Sequence, residues 1–158
     1  FAVNAVGDIK EIFTDLKTYH DKGNQIGEYL LDANDGFNSL VRFENGAIGT
    51  ITNTRYATGH ANSLILEVFC TKGALKVELD EKRSKWSTLH ICQNDNINKI
   101  TWETIECPRT ASNYENFIKS IQINKNMQPD FNQGAKIQKI IDSCIKSNDN
   151  KKWIGINN

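Results

Sequence analysis

Apolar and polar residues alternate through most of the first two thirds of the chain, the pattern of strands with one buried face. The clearest case is the segment 37–44. One predicted face carries Phe37, Ser39, Val41 and Phe43, and the other carries Leu40 and Arg42. Asn45-Gly46 follows and predicts a type I′ hairpin turn, because both central residues of that turn need positive φ. The return strand is predicted over 47–56, which is rich in Thr and Ile.

Similar alternation predicts further strands on both sides of this hairpin. The segments are, in order, an extended stretch at 9–20, a polar loop at 21–27, a second hairpin with strands 64–71 and 74–79 and a turn at Lys72-Gly73, and two strands at 86–92 and 100–107 around an Asn- and Asp-rich loop at 93–99. Together with the first hairpin, these segments make at least six strands, mostly in adjacent antiparallel pairs.

Pro108 marks a change from alternation to helical periodicity. Ser112 and Glu115 form an S-x-x-E capping box. The apolar residues of that helix recur at helical spacing: Tyr114, Phe117, Ile118 and Ile121. After a loop, Asp130 and Gln133 predict a similar start for a second helix, whose apolar stripe is Ile137, Ile140, Ile141 and Cys144. A short edge strand is predicted at 153–156.

Strands followed by helices, without βαβ alternation, predict an α+β fold. We expect a broad, mostly antiparallel, open-faced sheet of six or more strands with helices packed on one face. The other face carries Thr50, Thr52 and Thr54 together with Ile48 and Tyr56, so it is half polar. Such a face suits a protein interface, here a homo-oligomer, or the floor of a ligand site. A solvated face is the alternative.

Charge and composition exclude several partners. The 158 residues are 39% hydrophobic and 24% charged, with 19 basic and 19 acidic residues interspersed along the chain. No net field therefore favours nucleic acid or an anionic membrane, and no apolar run approaches the ~20 residues that cross a bilayer. We expect neither nucleic acid nor membrane as a partner.

The cysteines and histidines give no pattern for a metal site. The four cysteines are widely spaced and form no C-x-x-C: Cys70, Cys92, Cys107 and Cys144. Buried free thiols in a reducing cytoplasm are the expectation, and hence a cytoplasmic protein. The three histidines share no ligand spacing with acids or cysteines: His20, His60 and His90. We expect no metal.

One strand end and the loop that follows it concentrate a cation, a phenol, an imidazole and an amide. Arg55 can hold an oxyanion or a diol, Tyr56 and Asn62 can pair with hydroxyls, and His60 can donate or accept near neutral pH. Gly59 lets the backbone turn closely against a ligand. The alternative on spacing alone is an ordinary polar loop. The sequence contains no G-x-G-x-x-G, no G-x-x-x-x-G-K-[ST], no H-E-x-x-H and no G-x-S-x-G.

Four stretches resemble the C-terminal domain of the Gfo/Idh/MocA oxidoreductases: R-F-E-N-G-A-I-G-T-I at 42–51, R-Y-A-T-G-H at 55–60, E-V-F-C-T-K-G-A-L at 67–75, and P-D-F-N-Q-G-A-K-I-Q-K-I-I-D at 129–142. The closing segment, 143–147 before Trp153-Ile154, is also similar. The resemblance covers nearly the whole chain. Cys70 stands where a glycine is usual, which indicates a locally altered strand.

The resemblance implies a two-domain enzyme that moves a hydride between NAD or NADP and a carbinol carbon of a sugar, cyclitol or related alcohol. Residues 1–158 would be its C-terminal substrate and dimerisation domain, without the N-terminal Rossmann domain that mainly binds the cofactor. The catalytic lysine and the His/Asp helix of the family have no counterpart here, so no catalytic residue is carried over. The strand-end loop of the family faces the cleft, which implies substrate-binding roles for Arg55, Tyr56, His60 and Asn62.

Alone, such a domain is expected to be inactive. A stand-alone or degenerate dimerisation or binding module without catalysis is the alternative. A small-ligand binding sheet of another lineage is a third hypothesis.

Overall fold

The computed structural model describes residues 2–19, 25–80 and 87–156. The strands are β1 Ile9–Lys17, β2 Gln25–Ile26, β3 Tyr29–Leu30, β4 Gly36–Phe43, β5 Ile48–Thr54, β6 Ser63–Cys70, β7 Gly73–Asp80, β8 Ser87–Gln93, β9 Glu103–Cys107 and β10 Ile154–Gly155. The helices are α1 Ala2–Val6, α2 Asp95–Lys99, α3 Asn113–Ile123 and α4 Phe131–Asn150. The predictions at His20, at 21–24 and at Trp86 lie outside the described residues.

The chain divides into two compact units. The first contains Phe1–Tyr56 and Asn124–Asn158, and the second contains Ala57–Ile123. The first unit holds a four-stranded sheet in the order β10-β1-β4-β5, here called the first sheet, and the small β2-β3 ribbon. The second unit holds a four-stranded sheet in the order β6-β7-β8-β9, here called the second sheet.

The alternation predicted for β4 is confirmed by the burial of its side chains. Ser39, Val41 and Phe43 are buried, whereas Leu40 and Arg42 are exposed. The buried side packs with α4 and with the ends of the chain in one apolar core: Ile9, Ile12, Val41, Phe43, Ile140 and Ile156. Burial of these apolar side chains holds α4 against the first sheet.

The opposite side of the first sheet is here called the open face. Strand register places on it Glu11, Phe13, Leu40, Arg42, Ile48, Thr50, Thr52 and Thr54. The predicted sharing of one face by the three threonines and Ile48 is therefore confirmed. Near β10, the guanidinium of Arg42 lies 4.3 Å from the ring centroid of Trp153 and 2.6 Å from Oε1 of Glu11. A cation–π contact and an ion pair thus anchor this corner.

Helix α4 also completes the outer edge of β1. The short strand β10 pairs with Glu11 and Ile12 only. Beyond it, the backbone N–H of Thr14 donates to Oγ of Ser147 at 2.9 Å, and that of Leu16 donates to Oδ1 of Asn148 at 3.0 Å. Side chains of the last turns of α4 therefore satisfy strand donors that a longer β10 would otherwise pair.

The first hairpin has a different turn from the predicted type I′. Gly46 has a φ of 87°, but Asn45 is not among the residues of positive φ. The N–H of Gly46 donates to the carbonyl of Phe43, and the N–H of Phe43 donates to that of Ala47. This is a three-residue loop, Glu44-Asn45-Gly46, in which glycine alone takes the left-handed conformation. The side chain of Asn45 instead accepts from the N–H of Ala47 at 3.0 Å.

Both helix starts predicted from the sequence are confirmed. The N–H of Ser112 donates to Oε2 of Glu115 at 2.5 Å, and the N–H of Glu115 donates to Oγ of Ser112 at 3.2 Å. These reciprocal bonds hold the pKa of Glu115 below its ordinary value, chiefly through the backbone donor. Asp130 caps α4 by accepting from the N–H of Gln133 at 2.9 Å.

Two loop predictions and one burial prediction are wrong. Part of the predicted loop 93–99 forms the short helix α2, and Gln25–Ile26 pairs as a strand with Tyr29–Leu30. All four cysteines are free, but Cys70 is exposed and the other three are only partly buried. Cys144 packs against the core without being fully buried, and the other three cysteines lie at or near strand ends.

The α+β class and the antiparallel pairing are confirmed. The strands are distributed over sheets of four, two and four strands. The edge strand predicted at the end of the chain is β10, beside β1.

Candidate functional site

Asp35 lies at the start of β4, between β1 and β5, and is only 3% exposed. Its N–H donates to the carbonyl of Lys17, and its own carbonyl accepts from the N–H of Arg55, both at 2.8 Å. Its carboxylate oxygen Oδ2 accepts from the N–H of Tyr19 at 2.6 Å. Asp35 therefore connects the chain leaving β1 with the chain leaving β5 at one end of the first sheet.

Tyr19 and Tyr56 meet at this end. Their ring centroids are 5.7 Å apart and their planes make an angle of 82°, an edge-to-face contact. The first sheet places β4 between the strands that lead to them, and strands two places apart lie about 10 Å from each other. The two side chains must therefore reach toward each other across the end of β4. Both rings remain accessible, with Tyr19 61% and Tyr56 58% exposed.

Gly36 leaves no room for a side chain at this crossing. A Cβ built on it would lie 2.9 Å from the backbone oxygen of Asn53. Thr54 uses its hydroxyl to accept from the N–H of Tyr56 at 3.1 Å, which fixes the backbone as it leaves β5. Hydrogen bonds to the backbone therefore hold this end of the first sheet together, and the rings of Tyr19 and Tyr56 lie on the surface.

The four residues predicted to bind substrate divide between the two units. Arg55 and Tyr56 end the first segment of the first unit, where both are exposed. His60 and Asn62 belong to the second unit and are also exposed. The N–H of His60 donates to the carbonyl of Ala57 at 3.0 Å in a turn where Gly59 has a φ of 86°. This positive φ is a backbone conformation that glycine adopts without steric cost.

Two residues of this region, Tyr19 and Asp35, were not among those predicted. The sequence carried a partial signal in Asn34-Asp35-Gly36, a turn-like tripeptide directly before an apolar alternation. The local sequence pattern could not identify Tyr19 as a site residue, because its contacts with Asp35 and Tyr56 depend on the order of the strands in the sheet. Asp35 joins the candidate site by holding the main chain beside both aromatic rings.

A second cluster of polar groups crosses one face of the second sheet. Lys76 lies 2.9 Å from Oε1 of Glu78 and 3.8 Å from Glu67. Nε2 of His90 lies 3.1 Å from Oε2 of Glu78, and Nδ1 lies 3.0 Å from the hydroxyl of Thr104. The hydrogen bond from Lys76 is the largest influence holding the pKa of Glu78 below its ordinary value, and the same bond raises the pKa of Lys76.

This chain of contacts joins all four strands and is exposed at its margins. It is best explained as cross-strand pairing that fixes register. Within the described ranges, no group of three His, Cys, Asp or Glu side chains is placed to hold a metal ion. None of the helices in those ranges combines the length and apolarity that crossing a bilayer takes.

The two longest described helices, α3 and α4, do not begin as the helix of a Rossmann turn does. Pyrophosphate binding in a Rossmann turn uses free N–H groups at a helix start and closely spaced glycines. Here α3 and α4 begin at side chains of the chain itself, Ser112 with Glu115 and Asp130. The described glycines with positive φ lie outside those two helix starts: Gly7, Gly27, Gly46, Gly59 and Gly73.

Comparison with known proteins identifies the family. Residues 7–156 match the C-terminal alpha/beta domain of the Gfo/Idh/MocA oxidoreductase family. The chain therefore belongs to this family, and the hypothesis of another lineage is wrong. No curated protein is similar enough in sequence to count as a match.

Solved structures share the fold. A levoglucosan dehydrogenase in complex with NADH and levoglucosan superposes with a TM-score of 0.80 at 21% identity, over 99% of this chain and 47% of that one. The same enzyme with NADH and L-sorbose gives a TM-score of 0.79 at 21% identity, over 99% and 47%. An NAD-binding oxidoreductase from Klebsiella pneumoniae gives 0.74 at 18% identity, over 99% and 48%. The chain spans about half the length of these structures.

Proposed function

We propose that residues 1–158 are the C-terminal, substrate-side domain of a two-domain NAD(P)-dependent dehydrogenase that oxidises a sugar, cyclitol or related alcohol. The observation that carries this proposal is the family match over nearly the whole chain. The levoglucosan dehydrogenase structures, which contain NADH and a sugar, support the cofactor and substrate classes. The fact that the chain spans 47% of that enzyme supports a further domain in the complete protein.

In this proposal the chain supplies the wall that orients the substrate. Hydride transfer needs the substrate carbon held against the nicotinamide ring, and a base to take the hydroxyl proton. Arg55 has a guanidinium fork that can bind two neighbouring hydroxyls, while Tyr56 and Asn62 offer single hydrogen bonds. His60 can donate to or accept from a hydroxyl near neutral pH. No catalytic residue is assigned to this chain.

NAD or NADP is assigned mainly to the N-terminal domain of the complete protein. At the starts of α3 and α4, the side chains of Ser112 and Asp130 already accept from the N–H groups of Glu115 and Gln133. A small contribution of this domain to cofactor affinity is part of the proposal. The choice between NAD and NADP belongs to the Rossmann domain, where an acidic or basic residue meets the ribose.

The open face of the first sheet is proposed to pair with a second copy of the protein. Ile48 is 81% exposed and Leu40 is half exposed on this face, among threonine hydroxyls. A face of mixed polarity suits an isologous contact, in which the same surface of two copies meets across a two-fold axis. Free thiols at all four cysteines support a reducing, cytoplasmic location.

The alternative is a dimerisation or binding module that acts without catalysis. The two hypotheses differ in the coding sequence upstream of residue 1. A reading frame that continues upstream with a G-x-G-x-x-G after a strand and an E-K-P motif favours the dehydrogenase. A start codon directly before Phe1 favours the module and defeats the proposal for this chain.

A direct experiment is to express the complete protein and follow NADH or NADPH formation at 340 nm with a panel of sugars, cyclitols and polyols. The proposal predicts turnover of at least one panel member with one of the two cofactors. Absence of turnover across the panel, from protein shown by calorimetry to bind NAD or NADP, contradicts the proposed substrate class.

A further inference from the structure

The pair formed by Tyr19 and Tyr56 has no role in the core. Each ring is more than half exposed, although aromatic side chains usually bury most of their surface. In an edge-to-face contact, at least one whole face of each ring is left uncovered by the other. Two flat apolar surfaces are thus presented at nearly a right angle at the end of the first sheet, so a ligand ring can stack on one of them and meet the other with its edge.

The pair is also held in place before any ligand arrives. The N–H of Tyr19 donates to buried Asp35, and the N–H of Tyr56 donates to Thr54. The carbonyl of Asp35 accepts from Arg55, the residue before Tyr56. Fixing the backbone at both tyrosines lowers the ordering cost of binding, since only a few side-chain rotations remain to be restricted.

The chemistry of this surface favours a ring-shaped ligand. An aromatic face carries partial negative charge and attracts the C–H face of a saturated ring, while phenol and guanidinium groups pair with hydroxyls at the edge of that ring. A pyranose or a cyclitol has both features. An acyclic polyol has the hydroxyls but no flat C–H face, so it gains less from the aromatic surface.

We propose that Tyr19 and Tyr56 form an aromatic platform, in which the ring of a pyranose or cyclitol stacks on one tyrosine and meets the other with its edge, and that Asp35 positions this platform. Tyr19 then determines preference for cyclic over acyclic alcohols. This inference rests on the proposed function and narrows its substrate class.

The test uses the complete protein with D-glucose, myo-inositol and D-sorbitol as probes. Tyr19→Ala is expected to raise KM for the better cyclic probe about tenfold, the size of one aromatic contact, with little change in kcat. KM for D-sorbitol stays within twofold of wild type, and Tyr19→Phe restores the cyclic KM. Equal rises in KM for cyclic and acyclic probes, or no rise, would overturn the platform.

A binding measurement separates failure of the platform from failure of the proposed function. In NMR spectra of the complete protein, the ring protons of Tyr19 and Tyr56 are expected to shift on titration with D-glucose or myo-inositol and much less with D-sorbitol. This result supports the platform even where no probe is turned over. Unshifted rings, or equal shifts with all three probes, overturn it whatever the activity.

The role of Asp35 is tested by removing its hydrogen-bond acceptor and, separately, by removing only its charge. Asparagine keeps a carbonyl oxygen that can accept from the N–H of Tyr19, whereas alanine keeps none. Asp35→Asn is expected to retain the cyclic KM. Asp35→Ala raises the cyclic KM while the D-sorbitol KM stays near wild type. A parallel loss on all probes in Asp35→Ala indicates a purely structural role and removes Asp35 from the proposal.

Discussion

The backbone N–H of Thr14 in β1 donates a hydrogen bond of 2.9 Å to the side-chain oxygen of Ser147 in α4, 133 residues further along the chain. Both residues are buried. The hydroxyl of Ser147 in turn donates to the carbonyl of Lys152 at 2.8 Å. One serine therefore joins the edge of the first sheet to the end of the helix that covers it.

Ser147→Ala is expected to lower the free energy of unfolding by about 1–3 kcal/mol, because it leaves a buried strand N–H without its acceptor. Urea denaturation of the protein measures this loss, and faster hydrogen exchange at the Thr14 amide locates it. Ser143→Ala is the matched control. Ser143 is buried in the same helix but donates only to its own helix carbonyl at Lys139. The control is expected to cost about 0.5 kcal/mol or less. Equal losses in the two variants contradict the bridging role.

The pH dependence of the second sheet follows from Glu78. Because Lys76 holds the pKa of Glu78 below the value it has in the unfolded chain, the ion pair stabilises the folded state above that unfolded value. This contribution is lost as pH falls through the lower, folded-state pKa. Glu78→Gln is therefore expected to lower Tm at pH 7 and to show a smaller further fall between pH 5 and pH 3 than the wild type.

Glu106→Gln is the control for Glu78→Gln, because Glu106 lies on the same sheet face, in β9. This control separates loss of the contact between Glu78 and Lys76 from the effect of removing one negative charge from the same sheet face. Tm curves for Glu78→Gln and wild type that stay parallel through the acid range would contradict the assignment.

A single charged residue can test whether the open face is an interface between two copies of the protein. Ile48→Glu places a carboxylate in the proposed contact between two copies, and we expect it to shift the complete protein toward monomer. Light scattering after size-exclusion chromatography measures the mass of the particle. Ile141→Glu is the matched control, since Ile141 is a half-exposed isoleucine on α4 rather than on the open face. An unchanged mass for Ile48→Glu, or an equal shift for both, removes this face from the interface.

Much of this fold could be predicted from local patterns in the sequence. The alternation at β4 predicted which side chains share a face, and the capping box at Ser112 predicted where α3 begins. Both depend on residues within a few positions of each other. The turn at Asn45-Gly46 was mispredicted because the asparagine side chain accepts from the backbone of Ala47, a choice that dipeptide statistics do not distinguish.

The candidate site was only partly predictable for a different reason. Arg55 and Tyr56 stand out as chemistry at a strand end, but Tyr19 becomes a neighbour of Tyr56 only through the order of β1, β4 and β5. The sequence around Asp35 is typical of a turn, but its buried carboxylate accepts a hydrogen bond from the N–H of Tyr19. Contacts of this kind come from tertiary pairing, so local periodicity does not contain them.

In the proposed division of roles, this domain binds the substrate and the rest of the enzyme binds the cofactor. The most direct measurement compares two constants in the complete protein carrying Arg55→Ala or His60→Ala: KM for the best sugar or cyclitol, and Kd for NADH or NADPH. We predict that KM rises about tenfold or more, as for one lost polar contact to substrate, while Kd for the cofactor stays within about twofold. A loss of cofactor affinity equal to or greater than the loss for substrate would contradict this division of roles.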